Sequence, residues 1–216
     1  MVIPYEWPLV AVVLVSLCEH TSAHFVRTTM PRALDLITWR ITFMVHSFGM
    51  KGILPIVWSF MIGNGPQTDL VMAITYTDVL LGGASALILF GFQTHDVPLC
   101  NVNLSITCTP DLDYIVWTYF FGVVVMIPIA EEILTRGVLY AAAEKHWRNR
   151  VVASVVSALY FSAMHREDER FWQLFFAGLT WAMLRAHTGR IGASVVSHAV
   201  YNALCTIMFT EWKRLS

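Results

Sequence analysis

The chain has 216 residues, of which 56% are hydrophobic and 13% charged, and its formal net charge is −1. A soluble domain usually carries about 25% charged residues, so this composition excludes an ordinary soluble protein and indicates that most of the chain lies in lipid. The sequence lacks a basic run of the kind that binds phosphates, so no nucleic-acid partner is expected.

Apolar stretches recur along the whole chain. A membrane-spanning helix needs roughly 20 apolar residues, and the stretches predict an all-α fold, a polytopic transmembrane bundle of about seven or eight spans that forms one domain. Lys51 and Pro55 interrupt the second stretch, which is therefore either one kinked helix or a re-entrant pair. The ammonium group of Lys51 is expected to extend to the membrane surface. The predicted spans are residues 8–25, 36–62, 70–92, 114–130 (running on toward 147), 151–165, 171–185 and 191–209.

The loops leave the orientation of the bundle open. Seven spans would place basic loops on both sides of the membrane, so the positive-inside rule does not decide the orientation. Cys100 and Cys108 share one loop and would form a disulfide only in an oxidising compartment. The expected location is the cytoplasmic membrane of a prokaryote, with the endoplasmic reticulum membrane as the eukaryotic alternative. The oligomeric state is left open.

The first polar group in the second half of the chain is a pair of adjacent glutamates, Glu131 and Glu132, followed by Arg136. A charged residue within a span opposes insertion by about 2.5–3.5 kcal/mol, so three of them need an explanation. Glu132 and Arg136 are four residues apart and share a helix face, which predicts an ion pair. Glu131 points elsewhere and is expected to face a cavity without a partner. The alternative is an interfacial charge cluster at a helix end.

Two further polar groups follow. His165 ends an apolar stretch that contains Phe161, and His198 and Asn202 share one face of the last stretch. A single histidine in such a place is often an interface residue, and a polar pair can also hold two helices together. With Glu131, however, these residues would suit peptide hydrolysis: a carboxylate and a histidine to take a proton from water, and a histidine and an amide to stabilise an oxyanion.

The three groups, in this order, are EE-xxx-R at Glu131–Arg136, F-xxx-H at Phe161–His165 and H-xxx-N at His198–Asn202. Together they resemble the CPBP family, the CAAX-protease and bacteriocin-processing (Abi) group of intramembrane endopeptidases. The resemblance covers residues 114–209, and residues 1–113 carry no motif of the family.

The resemblance implies a role for each matching residue. Glu131 and His165 would activate water, and His198 and Asn202 would form the oxyanion site. Glu132, Arg136 and Phe161 would support these catalytic residues. Thr135 and Arg166 depart from the residues usual in the family, which affects substrate fit more than chemistry.

The sequence therefore predicts an intramembrane endopeptidase that cleaves a membrane-associated peptide or protein, depends on glutamate and uses no cofactor. Zinc bound by Glu131, His165 and His198 is the alternative for the mechanism. A non-catalytic membrane binder or bacteriocin-immunity protein on the same fold is the alternative for the function. A transporter is disfavoured because the second half shows no internal repeat.

Overall fold

The computed structural model describes residues 46, 49–53, 74–93 and 120–215, with the backbone alone at 50, 52, 93 and 209–215. Every regular element in these ranges is helical, which confirms the predicted all-α class. A π-helical turn, Gly49–Ile53, precedes the main helices. The main helices are α1 (Tyr76–Gln93), α2 (residues 122–147), α3 (Arg150–His165), α4 (Phe171–Thr188) and α5 (Gly192–Leu215), with a 3₁₀ turn, Asp168–Arg170, before α4.

Helix α2 is continuous but changes its winding three times. The backbone stays right-handed helical at each change, so the helix does not break. π-Helical turns are rare and occur frequently at functional sites, and the two glutamates stand on the short α-helical segment between two of them. The four segments are Gly122–Met126 (π), Ile127–Glu132 (α), Ile133–Leu139 (π) and Tyr140–Trp147 (α).

Local signals in the sequence set the helix ends. The side chain of Asn149 accepts hydrogen bonds from the first amides of α3 and so caps that helix. Helix α4 ends at Thr188, and the next residue, Gly189, has a φ of 71°, in the left-handed region that glycine adopts without strain. At the start of α1, Thr75 and Asp78 bond each other's backbone amides. Arg190 also pairs with Asp78 at 3.0 Å, which fixes the start of α1 to the turn before α5.

Helices α1 and α5 approach each other closely through small residues. A Cβ atom on Gly82 would lie 2.6 Å from the backbone oxygen of Ala193, so this contact requires glycine. Ser85 donates a hydrogen bond to Ser197 across the same contact, at 2.9 Å. Helix pairs with small residues between them are common inside membranes.

The outward face of α1 is apolar, with Val79, Leu80, Leu87 and Ile88 between 49% and 61% exposed. Among the described residues, no helix combines the length and apolar character required of a membrane span. Predicted spans 8–25 and most of 36–62, like Cys100 and Cys108, lie outside the described residues. The number of spans stays a prediction.

Candidate active site

The two adjacent glutamates of α2 are both buried, Glu131 to 4% exposure and Glu132 to 0%. They point to different partners, because successive residues on a helix face different directions. Thr135, one turn on, donates its hydroxyl hydrogen bond to the carbonyl of Glu131. The hydroxyl group thus holds the backbone where α2 passes from α-helical to π-helical winding.

Glu132 forms the ion pair with Arg136 that the spacing predicted, at 3.0 Å and with both side chains fully buried. The other end of the guanidinium donates to the carbonyl oxygen of Gly178 at 2.6 Å, and its carbon lies 4.9 Å from the ring centre of Phe161. Arg136 therefore joins α2 to both α3 and α4. A buried charge pair with these additional contacts fixes the geometry of the helices that carry the site.

His198, on α5, is held on two sides. Its Nδ1 lies 3.0 Å from Oε1 of Glu132, and its ring stacks on Trp181 of α4, with 3.8 Å between centres and 15° between planes. Since a carboxylate only accepts hydrogen bonds, Nδ1 is the donor. The remaining nitrogen, Nε2, then faces Glu131, 3.9 Å from Oε2.

His165 ends α3 and approaches the same carboxylate oxygen. Its Nδ1 lies 2.7 Å from the carbonyl oxygen of Phe161, and because a carbonyl only accepts, Nδ1 carries the proton. In the neutral ring Nε2 is therefore an acceptor, and it lies 3.9 Å from Oε2 of Glu131. Neither histidine is within hydrogen-bonding distance of Glu131, and a water molecule beside either pair of atoms can bridge them.

Asn202 lies one turn beyond His198 on α5. Its Nδ2 donates to the carbonyl oxygen of Val123 at 3.0 Å, in the first π-helical segment of α2. An amide nitrogen has two hydrogens, so the bond to Val123 orients the group and leaves the second hydrogen for another acceptor.

These four residues meet at one cavity of about 130 Å³, which Glu131, His165, His198 and Asn202 all line. Such a volume holds several water molecules. The cavity is also lined by Arg170 and Gln173, two polar residues at the start of α4 that the sequence analysis did not identify. Their signal in the sequence was weak, since both lie close to a turn rich in charged residues.

Lys51 is the main correction to the sequence analysis. Its Nζ lies 2.9 Å from Oε1 of Glu131, with 13% of its side chain exposed. The expectation that Glu131 has no partner was therefore wrong, and so was the expectation that Lys51 reaches the membrane surface. A lysine inside a predicted span was itself a signal, because such residues commonly pair with another charge.

A zinc ion in this site would be bound by Glu131, His165 and His198. The described residues include no group of three His, Cys, Asp or Glu side chains arranged to hold a metal ion. One oxygen of Glu131 is also occupied by the Lys51 ammonium group, which would repel a divalent cation placed on the same carboxylate. The Lys51 contact therefore disfavours a metal ion on Glu131, and the metal-free mechanism stays a prediction.

Residues 113–204 match the model of the Rce1-like family, described as type II CAAX prenyl endopeptidase Rce1-like. The matched segment contains all seven residues that the sequence analysis selected, from Glu131 to Asn202. The match confirms the resemblance to the CPBP family over this segment, which is less than half of the chain. Neither a curated protein nor a solved structure matches the chain.

Proposed function

We propose that this chain, whose residues 113–204 match the Rce1-like family of CAAX endopeptidases, is an intramembrane endopeptidase that hydrolyses a peptide bond of a membrane-associated substrate. The observation that carries the proposal is that Glu131, His165, His198 and Asn202 line a single cavity. They come from three helices, and a purely structural role would not require them to converge.

In the proposed reaction a water molecule lies beside Oε2 of Glu131 and Nε2 of His165, within hydrogen-bonding distance of both. Both atoms are acceptors, and their 3.9 Å separation lets a water placed beside them donate to either one. Glu131 takes a proton as the water oxygen bonds to the substrate carbonyl carbon. The C–N bond then breaks, and the proton passes to the departing amine.

The negative oxygen of the tetrahedral intermediate needs hydrogen-bond donors. Asn202 supplies its second amide hydrogen. His198 binds Glu132 through Nδ1, so its Nε2 donates to the oxyanion only when that nitrogen also carries a proton. The contact with Glu132 and the stack on Trp181 hold the ring of His198 in place, so the group is oriented before the reaction begins.

Placement of this site within the membrane is supported by composition and by the helix surfaces. The chain is 56% hydrophobic, and large apolar side chains are exposed along the outside of the helices, as on α1. A surface of this kind is stable against lipid and unfavourable in water. Water activation without a metal is part of the proposal and is supported by the position of Lys51 beside Glu131.

The test uses the full chain purified and reconstituted in liposomes. Two peptides with the same sequence, one prenylated near its C-terminus and one unmodified, are incubated with it, and mass spectrometry identifies any bond that is cut. We expect cleavage that His165→Ala abolishes and that a metal chelator leaves unchanged. Cleavage by His165→Ala at the wild-type rate would contradict the proposed site, and absence of cleavage of both peptides by the wild-type chain would favour a non-catalytic binder. Loss of activity with the chelator, restored by zinc, would contradict the metal-free mechanism.

A further inference from the structure

We infer that Lys51 is a positioning residue for the proposed reaction: its ammonium group holds one oxygen of Glu131 so that the other faces the two histidines and the reacting water. The inference rests on the proposed function, and it adds a residue from outside the segment that matches the family. Lys51 lies 80 residues before Glu131 in the sequence, on the π-helical turn Gly49–Ile53.

The two oxygens of Glu131 have different surroundings. Oε1 accepts the hydrogen bond from Lys51 at 2.9 Å. Oε2 lies 3.9 Å from Nε2 of His165 and 3.9 Å from Nε2 of His198. Only the Lys51 contact is short enough to be a hydrogen bond, so Lys51 orients the carboxylate and the histidines do not.

Orientation matters because the last torsion of a glutamate side chain is soft. A carboxylate turns about it over a broad and roughly two-fold range, and this turn would move Oε2 away from the histidines. A directional hydrogen bond to one oxygen restricts the turn. The same ammonium group also balances the charge of a carboxylate that is only 4% exposed. The ion pair thereby offsets part of the free energy lost when the charged carboxylate is removed from water.

The two oxygens of the Glu131 carboxylate therefore have different roles, one in orientation and one in the reaction. Lys51 approaches the oxygen that does not react, and the cavity gives water and substrate access to the side lined by His165 and His198. Lys51 therefore acts through Glu131 rather than on the substrate. Loss of Lys51 should lower kcat while leaving KM nearly unchanged, because substrate contacts are kept.

The experiment compares Lys51→Met, Lys51→Ala and Lys51→Arg with the wild-type chain in liposomes, with kcat and KM measured separately. Methionine keeps the length of the side chain and removes the charge. We expect Lys51→Met to lower kcat about 100-fold, the size typical of a misplaced catalytic group, with little change in KM. Lys51→Arg keeps the charge and should recover part of the loss. Lys145→Met, at an exposed lysine near the end of α2, is the matched control and should behave as wild type.

Chemical rescue separates positioning from folding. Ethylammonium ions added to Lys51→Ala should raise kcat at least tenfold in a saturable way, and they should not rescue Glu131→Gln. A wild-type kcat for Lys51→Met, or a Lys51→Ala variant that stays folded and is not rescued, would overturn the inference. If the wild-type chain cleaves no peptide, or if Glu131→Gln cleaves at the wild-type rate, the proposed function itself fails. A normal wild-type reaction that Lys51 variants leave unchanged overturns the positioning role alone.

Discussion

Oε1 of Glu132 lies 3.0 Å from Nδ1 of His198 and also 3.0 Å from the guanidinium of Arg136. One oxygen thus joins the supporting arginine to the histidine proposed to bind the oxyanion. The second glutamate of the pair orients other groups, whereas the first, Glu131, faces the cavity. Two identical and adjacent residues therefore have different surroundings, which leads to different expectations for their variants.

The first prediction compares stability after removing either charge. Glu132→Gln should lower the free energy of unfolding by about 3–5 kcal/mol, because it leaves Arg136 buried beside a neutral group, and activity should fall with it. Glu131→Gln should be much milder, since Lys51 is 13% exposed and can be partly solvated. Unfolding of both variants in the same detergent measures the difference. Equal stability of the two variants would show that Glu132 does not have the structural role described.

Trp181 is predicted to orient His198 through the stacked ring. Trp181→Phe keeps an aromatic ring but loses area and the hydrogen bond from Nε1 to Ser197, which is 3.1 Å long. We expect kcat to fall about tenfold, equivalent to roughly 1.4 kcal/mol, with KM nearly constant. Ser197→Ala removes that hydrogen bond, and the one from Ser85, but keeps the stacked ring, and should have a smaller effect on kcat. A Trp181→Phe variant with unchanged kcat would show that the stack does not matter for the reaction.

Gly178 is predicted to be intolerant of a side chain. A Cβ atom there would lie 3.2 Å from a guanidinium nitrogen of Arg136 and 3.2 Å from Phe161, so Gly178→Ala should destabilise the protein by about 1–3 kcal/mol, as overpacking does. Gly83→Ala is the matched control, because a Cβ atom on Gly83 would meet no atom within 4 Å. Alanine is also the better helix former, so this control should be neutral or stabilising by up to about 1 kcal/mol. Thermal unfolding of the two variants measures this difference in stability. The same shift of the unfolding temperature in both variants would contradict the prediction.

Asn202 is predicted to act in the transition state. Asn202→Ala should lower kcat by about 10²–10³-fold, the usual effect of losing one oxyanion donor, while KM changes little. Steady-state kinetics measure both constants. A rise in KM at constant kcat would instead assign Asn202 to substrate binding.

The sequence predicted the helical class, the Glu132–Arg136 pair and the four residues that line the cavity, because spacing on a helix and polar residues in apolar stretches are local signals. It did not predict the contact of Lys51 with Glu131, since a contact over 80 residues depends on tertiary packing. The π-helical turns of α2 were also missed, because their sequence does not differ visibly from that of an ordinary apolar helix. Trp181 had a signal that went unused: it lies in the middle of an apolar stretch.

Turnover of a membrane-anchored peptide by Glu131→Gln tests the central claim most directly. The substitution keeps the size of the side chain and removes the group that accepts the proton from water. Glu144→Gln, on the same helix but in an ion pair with Arg150 away from the cavity, is the control. The proposed mechanism predicts that Glu131→Gln remains folded and loses about 10³–10⁴-fold in kcat, the upper part of the contribution of a general base, while Glu144→Gln cleaves normally. Cleavage by folded Glu131→Gln at a rate near that of Glu144→Gln would contradict it.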